Sequence, residues 1–231
     1  MISLLSKYKR IIFIIVVVIF IGSIFFVSGQ IFSSASTDSV ADVGGTKIPY
    51  QRFSLQVNRV LANLKGSGTE VSDVVAKSVK QEIFREMVIE ELLSQEGGKM
   101  GMRVPDFEVA VEIQNTPQFT DKGVFNPRIY FQTIYNEFRM SPNDYEAWRK
   151  KARLAGKFKQ FLSTNVKVTP GELQAYYLSK NKSLKDFDKN KAKYLDELSK
   201  EKFSQVASYL LRQLTMQMEI KSYLEQREQG R

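Results

Sequence analysis

The feature that most limits how this chain can fold is a nearly unbroken apolar run from Ile11 to Val27, preceded at once by Lys7, Lys9 and Arg10. As a helix the run would be roughly 26 Å long. That approaches a hydrocarbon core of ~30 Å once Ile31 and Phe32 are allowed to dip in. It has no polar face with which to join a water-exposed domain, so it is expected to span a bilayer. The cationic cluster lies wholly on its N-terminal side. Residues 1–10 are therefore expected as a cytoplasmic tail, residues 11–29 as a transmembrane helix, and everything later outside. A cleaved signal peptide, cut near Ser33-Ser34-Ala35, is the alternative; the length and β-branched content of the run favour a retained anchor.

Residues 30–39 have linker composition, ending in "SSASTDS". "VADVGGTKIPY" then predicts a short hairpin, with Val40, Val43 and Ile48 apolar and Gly44-Gly45 supplying a turn of positive φ. Beyond Tyr50 the periodicity is helical almost throughout. Phe53, Val57, Val60, Leu61 and Leu64 form one stripe, ended at Gly66-Ser67-Gly68. A longer stripe from Val71 to Leu93 is expected to stop at Gly97-Gly98. A short helix follows Pro105. Asn126-Pro127, Ser141-Pro142 and Thr169-Pro170 each place a capping side chain before a proline at the first helical position. A lysine-rich stretch, 179–199, is expected as a connector with a solvated surface, and a last strong helix is expected from about Lys200 to Glu228. The fold class is mainly α, with one minimal hairpin.

Cysteine and histidine are both absent. No disulfide, thiolate nucleophile or imidazole base is available, which removes Ser-His and Cys-His catalysis. A metal site would have to rely on carboxylates. Asp186 and Asp188 lack the central glycine of a calcium loop. Glu82, Glu86 and Glu90 share a helical spacing that predicts a salt-bridged exposed face rather than a catalytic pair. The net charge of +9 suits anionic lipid or acidic partners. Nucleic acid is not expected, because the spacings and aromatic strands of its common readers are missing. No cofactor is expected.

The unusual stretch is residues 119–150, which holds eight aromatic side chains. On a helix from Pro127, Tyr130, Ile134 and Phe138 recur at i, i+4 and i+8, with Phe131 and Tyr135 on the adjoining face. One helix in a small domain seldom buries its whole circumference, so some rings should stay exposed. Phe131, Phe138, Trp148 and Phe158 are assigned to the core. Phe119, Phe125, Tyr130 and Tyr135 are assigned to a shallow apolar groove.

The order of these features resembles the N-terminal chaperone domain of the SurA and PpiD group of periplasmic folding factors. The resemblance runs over residues 40–178 and rests on "VGGTKIPYQRF", "IFREMVIEELLSQEGGKMGMRVPDFEV", "PQFTDKGVFNPRIYFQTIYNEFRMSPNDYEAW" and "VTPGELQAYY". It implies a SurA N-terminal-like helical chaperone domain at 40–178, completed by a returning helix within 200–231. It also implies a holdase acting without ATP, tethered PpiD-like in the bacterial inner membrane with its bulk in the periplasm. Unfolded polypeptide clients are the implied partners, with the protein-secretion channel a further one and a homodimer allowed. Those relatives carry parvulin-type isomerase domains before the last helix. Here only residues 178–199 are available, fewer than the ~50 of a compact domain. The histidines of a parvulin site are also missing, so prolyl isomerase activity is not expected. A helical scaffold docking one specific translocon or envelope partner is the alternative function.

Overall fold

The computed structural model describes residues 39–229 other than Lys182. The expected tail and transmembrane helix, and all of the linker but Ser39, lie outside the described residues. Among those described, no helix is long and apolar enough to cross a membrane.

The hairpin forms as the sequence predicts. Strand β1 (Ser39–Val43) pairs antiparallel with β2 (Thr46–Pro49). Gly44 and Gly45 take φ of +57° and +84°, the double positive-φ turn that follows strand twist. Asp42 Oδ1 accepts from Gly45 N at 2.9 Å. Ser39 already belongs to β1 rather than to a linker. Helix α1 (Tyr50–Gly66) follows directly, and α2 (Asp73–Lys99) starts on Ser72, whose hydroxyl accepts from Val75 N.

Helix α2 runs straight through Gly97 and Gly98, contrary to the expected stop. The reason is packing. A Cβ on Gly97 would stand 3.3 Å from Phe158 Cβ and 3.5 Å from Leu154 Cδ1, so the glycine lets the backbone of α2 approach α5 (Pro142–Asn165). The chain turns instead after Lys99, through Gly101 at φ +80°.

Helix α3 (Asp106–Gln114) lies against α5 and is fastened by a charged ladder. Glu112 takes Arg149 and Arg153, the latter at 2.8 Å, and Glu108 takes Arg153 at 3.1 Å and Lys157 at 2.6 Å. Residues 117–125 then form a 3₁₀ turn and a tiny hairpin, β3 (Thr120–Asp121) with β4 (Val124–Phe125). Asn126 caps α4 (Pro127–Thr133), its Oδ1 accepting from Arg128 N and Ile129 N. The same helical segment continues as a π turn over Ile134–Phe138 and ends at Arg139, which is left-handed at φ +51°. Ser141 caps α5 as predicted.

The C-terminal part departs most from expectation. Helix α6 (Pro170–Lys180) has the full capping box at Thr169 and Glu172. Only residues 181–186 separate it from α7 (Phe187–Gln217), so the lysine-rich stretch is largely the first half of a helix. Tyr177, packed edge-on to Phe187 and Tyr194 at 5.3 and 4.8 Å, ties α6 to that half. The expected helix to Glu228 is broken. Met218 becomes extended, β5 (Ile220–Ser222) pairs antiparallel with β1, and a short α8 (Leu224–Glu228) follows. The sheet order is β2-β1-β5.

Three apolar clusters hold these elements. The first joins the sheet, α1, the middle of α2 and Leu214 of α7, with Leu210, Met218, Ile220 and Leu224 packed around it. The second is the aromatic centre of α3, α4, the π turn and the start of α5. The third seats Phe158 and Ala155 on Leu93, against Leu210 and Leu211. Buried Glu91 links them by accepting from Lys151 at 3.2 Å and from Gln95 at 3.0 Å, while Gln95 also donates to Val43 O at 2.8 Å.

Two predictions follow from this packing. Gly97→Leu should destabilise by about 1–3 kcal/mol through overpacking. Gly98→Ala, which meets only Leu154 at 4.0 Å, should stabilise by up to about 1 kcal/mol; thermal melts of the pair check this. Second, the Lys202 ammonium, the Thr169 amide and the Thr169 hydroxyl hold the Glu172 carboxyl down at about 2. A depressed carboxyl contributes stability above its unfolded pKa and loses it as pH falls through the folded one. The difference in melting temperature between wild type and Glu172→Gln should therefore be present at pH 7, shrink from about pH 4.5 and vanish near pH 2.

Candidate functional site

The aromatic stretch divides into an inside and an outside. Tyr130, Ile134 and Phe138 all face the core, so the expected spacing of that stripe holds even though the last turn is π. Phe119 is 0% exposed and Tyr130 only 4%, which corrects their assignment to an open groove. Phe119 belongs to the 3₁₀ turn, and its backbone accepts from Asn126 N, so the loop folds over its own ring. Its ring meets Tyr130 edge-on at 5.1 Å and Tyr145 at 5.8 Å. Phe138 and Tyr145 continue the chain at 5.0 Å, and Tyr145 meets Trp148 at 5.5 Å. Edge-on contacts of this kind add about 0.5–1.5 kcal/mol each to simple burial. The Tyr130 hydroxyl donates to Glu146 at 3.1 Å, and burial, then that carboxylate, push its pKa upward. These rings are framework.

Phe125 is half-buried against Tyr130, and Tyr135 is 58% exposed. Phe131, assigned to the core by its sequence, is 47% exposed, and Val124 beside Phe125 is exposed as well. The four predicted residues thus do not form one surface. Two are interior, one lies at the margin, and one is outside with Phe131.

A cleft of about 380 Å³ opens on the other side of the π turn. One face of α1 supplies Leu55, Arg59 and Val60; α2 supplies Ile83 and Glu86; Met140 and Trp148 close the far wall. Arg52 lies at its base. Its guanidinium rests over the Trp148 ring at 4.8 Å and pairs with Glu90, while Arg59 lies over Phe138 at 4.9 Å. Burial draws the Arg52 pKa down and Glu90 pushes it back up. Stacking does much of the holding here, since neither Arg52 Nε nor Trp148 Nε1 has a hydrogen-bond partner among the described residues. Arg59 reaches Gln118 at 3.4 Å, and Gln118 donates to Glu137 at 2.6 Å, giving the mouth a polar edge.

Sequence reasoning missed this cleft. Glu90 was expected on an exposed face but is the half-buried partner of Arg52, while Glu82 pairs locally with Arg85. The available signal was the spacing of residues 52, 55, 56, 59 and 60, where two arginines share a helical face with leucine and valine. The arrangement offers an apolar floor, aromatic walls and fixed cations, suited to contact rather than bond-making. Among the described residues no group of three carboxylates gathers to hold a metal.

Residues 1–159 match the family described as SurA-like N-terminal domain, and the chain belongs to that family. The match ends within α5, so α6, α7, β5 and α8 lie beyond it. No curated protein matches the chain.

The cleft yields its own prediction. Glu90→Gln leaves the Arg52 guanidinium uncompensated and should cost about 2 kcal/mol in urea unfolding. The double variant Arg52→Met/Glu90→Leu should recover most of that loss, because it removes both charges together.

Proposed function

We propose that this chain is a membrane-tethered, ATP-independent chaperone of the bacterial periplasm, holding unfolded or translocating envelope proteins. The observation that carries this reading is the aromatic segment 127–138, which fills the core with one face and leaves Phe131 and Tyr135 exposed on the other. Membership of the SurA-like N-terminal domain family supports it, as does the apolar run at Ile11–Val27 for the tether. Clients would meet Phe131, Tyr135 and the margin at Phe125, in place of the sealed rings of Phe119 and Tyr130. Exposed rings give broad, side-chain-tolerant contact, and binding of unfolded chains by mass action requires no cofactor.

The test uses the full-length chain in detergent micelles and an outer-membrane protein diluted from urea, followed by light scattering. Wild type at equimolar concentration should suppress aggregation. Phe131→Ser/Tyr135→Ser should lose at least half of the protection while its melting temperature changes little, since both side chains are already exposed. Absence of protection by the wild type would overturn the reading. If photocrosslinking from position 135 then yields one folded partner rather than many chains, the docking scaffold takes its place.

A further inference from the structure

A second concave surface lies away from the aromatic segment, along the seam between α2 and α7. It consists of two depressions of about 690 and 320 Å³ that share Ile89 and Leu211 as lining residues. Phe84, Val88, Ile89, Leu92 and Leu93 of α2 form one side, and Leu211 faces them from α7. Ser204, Ala207 and Ser208 keep the α7 wall low. The lining of α7 runs from Phe203 to Thr215, roughly 18 Å of helix. That length accommodates about six residues of extended polypeptide.

The charge along this seam is one-sided. Arg85 and Arg212 border the larger depression, Lys159 borders the smaller, and neither is lined by an aspartate or glutamate. Arg85 has an exposed partner in Glu82 at 3.4 Å. Arg212 and Lys159 have no carboxylate within 4.0 Å among the described residues, whereas α3 and α5 match theirs in a continuous ladder. The cleft at Trp148 differs again, with Glu86 and Glu137 set among its arginines.

We infer that the α2–α7 seam binds a polypeptide segment in which apolar side chains alternate with carboxylates, the apolar ones on the leucine floor and the carboxylates on Arg212 and Lys159. The inference rests on the chaperone reading and adds a class of client segment to it. The set-back of this floor among α2, α5 and α7 favours a peptide over a bilayer, because it meets acyl chains less readily than a protruding face does. An apolar floor with unmatched cations of one sign also disfavours a basic segment, through like-charge repulsion and desolvation.

The experiment uses the full-length chain in detergent micelles and three fluorescein-labelled peptides that alternate leucine with glutamate, glutamine or lysine. Fluorescence anisotropy should show the glutamate peptide binding at least about tenfold more tightly than its lysine twin, with the difference shrinking in about 0.5 M salt. Lys159→Glu/Arg212→Glu, at two exposed positions, should invert the ranking without altering the circular dichroism spectrum. Equal binding of the three peptides, or a ranking untouched by the reversal, overturns the inference. So does efficient homodimer crosslinking through Ser208→Cys, a unique thiol in this cysteine-free chain, because the seam would then be covered by a second copy. Charge-dependent binding to phosphatidylglycerol vesicles with no peptide binding likewise overturns it in favour of a lipid surface. Suppression of aggregation by wild type, measured alongside, separates the two readings. If protection persists while the peptides fail to discriminate, only the seam assignment falls.

Discussion

The close packing of α2 on α5 is the contact from which the rest of the architecture is hung. Gly97 allows the two backbones to approach over Leu154 and Phe158, and Glu91 receives Lys151 across the same interface. From that line α2 extends in one direction into the sheet cluster through Ile83, Met87 and Leu92. In the other direction α5 carries Tyr145 and Trp148 into the aromatic cluster. Both concave surfaces inherit their walls from this pair. The Trp148 cleft borrows Ile83 and Glu86 from α2 and its tryptophan from α5. The seam borrows the adjoining face of α2, at Phe84, Val88 and Leu92. A single helix thus presents two differently charged grooves on neighbouring sides.

Much of the local structure was readable because it is decided by neighbours in sequence. Caps at Asn126, Ser141 and Thr169 need only an oxygen and an amide two or three residues away, and all three form. The turn at Gly44-Gly45 needs only positive φ. What misled was decided by distant parts of the chain. Two adjacent glycines suggest a helix stop until Phe158 is seen filling the space beside the first. The break at Met218 has no glycine or proline to announce it, and three residues of strand leave no periodicity; only the edge of β1 explains why Ile220 is extended. The family, by contrast, was legible from the order of short motifs, each weak alone.

The aromatic rings show the same division. Spacing put Tyr130, Ile134 and Phe138 on one face but left Tyr130 assigned to a groove and Phe131 to the core, the reverse of where the fold places them. Phe119 was sealed by the turn that carries it, and Phe131 emerged on the far side of its helix. Periodicity identifies which residues share a face. It does not identify which face the rest of the chain will occupy. Arginine is the other lesson, since Arg52 and Arg59 are held on Trp148 and Phe138 by stacking across helices, a relation with no trace in local sequence.

Strand β1, at the start of the described chain, is flanked on one side by its hairpin partner and on the other by β5, near the end. Closing that sheet requires a loop of nearly the whole domain, which makes it a late and slow event in folding. A polypeptide emerging N-terminus first would hold one edge of β1 open until Ile220–Ser222 were available. Strand β5 is therefore a latch on β1, and a protein lacking Ile220–Ser222 would carry a sticky, unsatisfied margin along Ala41–Val43.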